Sequence, residues 1–306
     1  MIKFFHSNLI HHKIYYILHE ACQEGDLELI KIYLSETITN ESNLLSFKID
    51  KTNRNASLFK VNNKSKQIII PQTVKHDSTE YLITSITSIR NSIQILKFIK
   101  NSEVEKIYKN AFNDSHIKEI HFPSSLKELE DGWCKGTRIL KKKIISPSNG
   151  QFIFKEDKYL LGKSDQNNSE FDIPLFACRN ITEISIPSNV KIISPFAFEY
   201  TIHLRKVEFP PNSNLEIIEN YAFFDSGIEG INFPASLKEL KEDWCCLTEN
   251  LTKVTISPSN KRFLMKDNKY LIGKSDAKKD EFDILLFACR DILKLFHHVH
   301  LIIVIN

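Results

Sequence analysis

The chain lacks the features that usually announce a function. No run of 18 or more apolar residues occurs, so no transmembrane helix is expected, and Leu301-Ile302-Ile303-Val304-Ile305 is far too short to span. The first 22 residues do not read as a secretory leader, because His6, Ser7, Asn8, His11, His12 and Lys13 interrupt their apolar stretches. There is no long block of like charge. With 41 basic and 38 acidic residues and a net charge of +3, nucleic acid is not an expected partner. The six cysteines (Cys22, Cys134, Cys178, Cys245, Cys246 and Cys289) form no C-x-x-C and no Cys/His spacing, so no metal and no cofactor is expected. No H-E-x-x-H, Ser/His/Asp or Cys/His arrangement or carboxylate pair is readable, and His297, His298 and His300 cluster in an eroded tail; catalysis is not expected. Glycine is scarce at 8 residues, against abundant Asn, Lys and Ile. Seven N-x-S/T sequons, at Asn40, Asn55, Asn63, Asn113, Asn167, Asn180 and Asn250, are what such an Asn-rich chain produces by accident.

What the chain does have is repetition. Residues 101–181 and 212–292 align without a gap at an offset of 111, with 46 of 81 positions identical. Within this long period lies a shorter one, a cassette apolar-x-x-apolar-x-apolar that usually ends in Pro. It reads Ile93-x-x-Leu96-x-Phe98, Ile117-x-x-Ile120-x-Phe122, Leu140-x-x-Lys143-x-Ile145, Ile181-x-x-Ile184-x-Ile186, Leu204-x-x-Val207-x-Phe209, Ile228-x-x-Ile231-x-Phe233 and Leu251-x-x-Val254-x-Ile256. The spacing is 23 or 24 residues except for one gap of 41, a period that fits stacked coils. Lys143 stands where the others place an inward aliphatic.

Each coil has a second half: an apolar pair such as Leu126-x-x-Leu129, then Ala-Phe at 111–112, 197–198 and 222–223. Trp133-Cys134 and Trp244-Cys245 replace Ala-Phe in two coils, an exchange of large and small side chains that a close-packed core can absorb. The gap of 41 holds about 18 extra residues; the stretch Phe152 to Ser164 within it, repeated at Phe263 to Ser275, predicts a β-hairpin protruding from the stack. Gly162-Lys163-Ser164 is like the end of a phosphate-binding loop, but Asp157 stands where that loop needs its first Gly.

The cassette, its Pro and the Ala-Phe pair resemble the BspA-like leucine-rich repeats of bacterial and protist surface antigens, and the inserted hairpin is similar to one in the protist members. Separately, Leu18-His19-Glu20-Ala21-Cys22-Gln23-Glu24-Gly25 through Leu34 resembles a single degenerate ankyrin repeat, predicting a helical hairpin over 13–37. The expected fold class is α/β: a leucine-rich-repeat solenoid with a parallel sheet on its concave face and inserted hairpins, preceded by a short helical segment. The expected organisation is an ankyrin-like hairpin at 1–38, a linker or N-terminal cap at 39–66, a solenoid at 67–293 and an eroded, truncated or frame-shifted tail at 294–306.

Solenoids of this kind bind proteins through outward residues of the stacked strands. The candidates are those flanking each central apolar residue: Ile95 and Lys97, Glu119 and His121, Lys142 and Ile144, Glu183 and Ser185, Lys206 and Glu208, Gly230 and Asn232, Lys253 and Thr255. Specificity is expected where the copies differ, Glu119-x-His121 against Gly230-x-Asn232 and Lys142-x-Ile144 against Lys253-x-Thr255. The resemblance implies non-catalytic adhesion or recognition at a cell surface, with host or other extracellular proteins as partners. The missing leader and the ankyrin-like start point instead to an intracellular scaffold. Both readings stay open at this stage.

Overall fold

A computed structural model describes residues 36–39, 44–61, 66–89, 93–165, 167, 169–276, 278 and 280–288. Most of the ankyrin-like segment, Cys22, Cys289 and the tail at 294–306 lie outside the described residues. Among the described residues every regular element is a β-strand. The α/β class is therefore corrected: the described residues form an all-β solenoid, and residues 36 and 37, the described end of the expected helical segment, fall in the strand Glu36–Thr39.

The cassettes stack as parallel strands in two runs. Gln67–Ile70, Ile95–Phe98, Glu119–Phe122 and Lys142–Ile145 form the first; Glu183–Ser185, Lys206–Glu208, Gly230–Phe233 and Lys253–Ile256 form the second. A second parallel ladder uses only two residues per coil, Lys106–Ile107 with Glu128–Leu129, then Ile192–Ile193, Ile217–Ile218 and Glu239–Leu240. Ahead of them, strands Leu45–Asp50 and Asn55–Val61 pair antiparallel, and the latter joins Thr79–Ile86 in parallel. Phe47 and Leu58 of this N-terminal sheet are buried in the same core as the first coils.

The Ala-Phe half of each coil could have been a short helix, and its backbone shows why it is not. Left-handed residues recur four apart: Asn110 and Asp114, Gly132 and Gly136, Phe196 and Tyr200, Tyr221 and Asp225, Asp243 and Leu247. Each one stops a right-handed helix. Amides at the middle and the second left-handed position donate to the next coil instead: Phe112 to Trp133, Asp114 to Lys135, Phe198 to Ala222, Tyr200 to Phe224, Phe223 to Trp244 and Asp225 to Cys246. The Ala-Phe turns are thus a third coil-to-coil ladder. Inside it, Phe198 stacks on Phe223 at 4.9 Å, while Trp133 meets Phe112, Phe122 and Phe176 at 5.6–5.8 Å. Trp133 therefore belongs to an aromatic spine.

The insertion differs from the protruding hairpin expected. Strands Phe152–Lys155, Tyr159–Gly162 and Ile173–Ala177 form a three-stranded antiparallel sheet, and its middle strand is buried throughout. One side, with Phe152, Leu160 and Phe176, belongs to the core of the first block of coils; the other, with Tyr159, Leu161 and Ala177, belongs to the core of the second. The sheet is an intercalated layer, and it is what separates the two parallel runs. Alternation along Tyr159–Gly162 explains this, because both of its faces are apolar.

One asparagine fixes the entry to each insertion. Asn149 donates through Nδ2 to the carbonyls of Pro123, Ser124 and Leu126, and its Oδ1 accepts from the amides of Gln151 and Phe152. Asn260 repeats the arrangement on Pro234, Ala235, Leu237, Arg262 and Phe263. Asn149→Ala removes a buried hub and leaves backbone groups unpaired. It is expected to destabilise the protein by about 2–4 kcal/mol in chemical denaturation, several hydrogen bonds being lost at once.

Candidate binding face and the joint between blocks

The candidate residues all lie on the outward side of the cassette strands, but the insertion divides them. Lys97, Glu119, His121 and Lys142 sit on the first run; Glu183, Ser185, Lys206, Glu208, Asn232, Lys253 and Thr255 sit on the second. Strand register brings some together. Ile95 faces Glu119, and Glu119 faces Lys142. The Glu119 carboxylate meets His121 Nε2 at 2.5 Å and Lys142 Nζ at 3.4 Å. Burial alone would raise Glu119, but these two hydrogen bonds and charges outweigh it and hold its carboxyl below the usual range. On the second run Lys206 bonds to Glu208, and Thr255 Oγ1 donates to Asn232 Oδ1 at 3.0 Å.

Residues that looked suggestive in sequence are accounted for by the frame. At Gly162 a side chain would collide with Leu175, and the Ser164 amide and hydroxyl donate to Asp172 at 2.8 and 2.6 Å. Gly273, Leu286, Ser275 and Asp283 repeat the arrangement. The Gly-Lys-Ser stretch therefore closes the inserted sheet. Cys134 and Cys178 are buried thiols, and burial pushes Cys134 up to about 12.

Sequence reading missed the joint where the first block meets the second. Lys143 is only 3% exposed; its Nζ lies 2.8 Å from the centroid of the Phe176 ring and has no hydrogen-bond partner. Arg179, also 3% exposed, lies over the same ring at 4.3 Å and donates through Nε to the Thr137 carbonyl. Its guanidinium is 3.7 Å from the Glu199 carboxylate, which accepts from the Gly136 amide at 2.8 Å. Burial raises Glu199 in spite of Arg179 and Gly136. Beside it, Arg138 stacks on Tyr200 at 4.2 Å and Lys135 on Phe196 at 4.8 Å. Across this joint a side chain, Glu199, takes the Gly136 amide, whereas within each block the turn amides donate to carbonyls of the next coil. Lys143 was visible as an out-of-pattern residue, with Val254 at the matching place in the second copy. Arg179 and Glu199 carried no such signal, because their partners lie 42 and 63 residues away.

Parallel ladders of 23- to 24-residue coils around an apolar and aromatic core define a β-solenoid of the leucine-rich-repeat class. The profile of the BspA type leucine-rich repeat region matches six copies over residues 37–159 and 171–266. The chain belongs to that family. Nothing in the matches singles out its protist members or supports an ankyrin-like start, and no curated protein matches. Among solved structures the chain is similar to a leucine-rich cell surface protein from Faecalibacterium prausnitzii (18% identity over 78% of this chain and 59% of that one, TM-score 0.48). It is also similar to a leucine-rich repeat protein from Eubacterium ventriosum (14%, 74% of each chain, TM-score 0.48). A third is the pneumococcal vaccine antigen PcpA (19%, 78% and 54%, TM-score 0.35). The chain thus spans little more than half the length of the first and third of these.

Burial lowers the Lys143 amine to about 7. Its value in the unfolded chain is the ordinary 10.5. Between these limits the unfolded chain holds a proton that the folded chain has released, so stability rises with pH, by up to about 1.4 kcal/mol per unit. Below pH 7 the amine is charged in both states and the cost of burying it is fully present. The raised thiols act oppositely above pH 8.5, so the lysine effect is read between pH 7 and 8.5. Lys143→Met is expected to abolish that slope and to stabilise the protein at pH 7 by about 1–3 kcal/mol, as replacing a buried charge often does. Urea titrations across the window check both; a destabilised variant that keeps the slope would contradict the assignment.

Proposed function

We propose that this chain is a non-catalytic protein-binding module that recognises its partner through the outward face of the cassette strands, and that it works in recognition or adhesion at a cell surface. The observation that carries the reading is a division of labour. Many residues shared by the two copies are committed to the frame: Asn149 and Asn260 as hubs, Ser164 and Ser275 as closures, Trp133 and Trp244 in the spine. The outward strand positions vary from coil to coil, and most of them remain exposed. A constant frame with a variable face is the form in which solenoids bind proteins. Family membership supports the same reading, and the F. prausnitzii relative is named as a cell surface protein. The second reading is an intracellular scaffold using the same face.

Two measurements test this. Antibody staining of intact cells that make the protein is expected to be positive; signal only after permeabilisation would favour the scaffold. Cross-linking followed by mass spectrometry is expected to place partner contacts on Lys97, Lys142, Lys206 or Lys253. Contacts concentrated on Lys127 and Lys238 of the opposite ladder would overturn the face assignment.

A further inference from the structure

The two runs of the binding face carry different chemistry. On the first run the outward strand positions include Ile69, Ile95 and Ile144, and Ile69 and Ile144 are 51% and 39% exposed. These two exposed isoleucines lie on the two outermost strands of the run, Gln67–Ile70 and Lys142–Ile145. On the second run the outward side chains are Glu183, Ser185, Lys206, Glu208, Asn232, Lys253 and Thr255, with Gly230 among them and no apolar side chain. Four of them are bonded in pairs, Lys206 to Glu208 and Thr255 to Asn232.

Charge differs as well. The second run balances two glutamates against two lysines. The first run has a single carboxylate, Glu119, already bonded to His121 and Lys142, and Lys97 adds a further positive charge. Whatever the state of His121, the first run is net positive between its two exposed isoleucines.

Resting on the reading of the cassette sheet as the binding face, we propose that binding is confined to the first run, and that its partner is an extended acidic protein segment of the pattern aliphatic-x-acidic-x-aliphatic. Spacing sets the pattern. Ile69 is registered with Lys97, and His121 with Ile144; the register Ile95 to Glu119 and Leu96 to Ile120, continued by one residue, sets Lys97 beside His121, so the four lie along one row across four strands. Neighbouring strands lie about 4.8 Å apart, which puts Ile69 and Ile144 about 14 Å from each other. An extended chain rises about 3.3 Å per residue, so positions i and i+4 are separated by about 13 Å and point to the same side. Position i+2 falls between them, over Lys97 and His121, where a carboxylate is favoured.

The test is selection of a random dodecapeptide library displayed on phage against the immobilised full chain. Enrichment of aliphatic-x-acidic-x-aliphatic peptides is expected. Capture of an enriched peptide should fall at least tenfold with Ile69→Asp or Ile144→Asp, about 1.4 kcal/mol or more each. Lys97→Glu should shift selection toward a basic residue at the central position; Lys206→Glu and Lys253→Glu probe the second run, and Lys127→Glu on the opposite ladder should stay within twofold of wild type. All five cassette side chains point outward, and Ile69→Ser and Ile144→Ser guard against a folding defect in the aspartate variants. Loss of capture only with Lys206→Glu or Lys253→Glu overturns the placement on the first run while leaving the binding face intact. Capture indifferent to all five cassette substitutions overturns the binding face itself, and no enrichment above a blank surface overturns the peptide partner.

Discussion

A coil of 23 residues cannot bury its own inward side chains; it does so only when another coil lies against it. Everything regular in this protein follows from that dependence. Three ladders, at the cassette strands, the two-residue strands and the Ala-Phe turns, place each coil's backbone donors opposite the next coil's acceptors. Side chains then stack in columns, Phe198 on Phe223 and Phe223 against Trp244. Any departure from the stack must still present a matching surface to both neighbours. The inserted sheet meets this demand by being apolar on both faces, with Leu160 turned to one block and Tyr159 and Leu161 to the other.

Interrupting the stack has a chemical consequence. Next to the inserted layer, Arg179, Glu199 and the Gly136 amide make a polar joint, and Lys143 occupies an inward position that is aliphatic in the other cassettes. Burying an amine without a partner is costly. Its presence ties the stability of the protein to pH at this joint. The outward strand face carries no such cost, because its charges are solvated or paired and can vary without disturbing the core. Frame and face are therefore separable, which lets one architecture display different surfaces in its two halves.

The cassettes were legible from sequence because inward strand residues must be apolar at fixed spacing, and the structure places Leu96, Ile120, Ile184, Val207, Ile231 and Val254 at the buried centres. The outward candidates followed from the same alternation. The turns were not legible, since left-handed backbone is taken by residues as different as Asn110, Phe196, Tyr221 and Asp243, so a helix could not be excluded from pattern alone. The depth of the insertion was hidden because Tyr159-Leu160-Leu161 reads equally as one strand of a surface hairpin or as a fully buried strand. Ile69 was overlooked because the strand Gln67–Ile70 precedes the first cassette recognised.

The claim that most of this account depends on is that the inserted sheet is an internal layer joining two blocks. Amide hydrogen exchange of the folded protein tests it directly. Amides of Tyr159–Gly162 and Ile173–Ala177 are predicted to exchange as slowly as those of the central cassette strands Glu119–Phe122 and Gly230–Phe233. Exchange as fast as that of the exposed residues Asp165, Asn167, Ser169 and Glu170 would mean a hairpin standing in solvent, and would contradict the account.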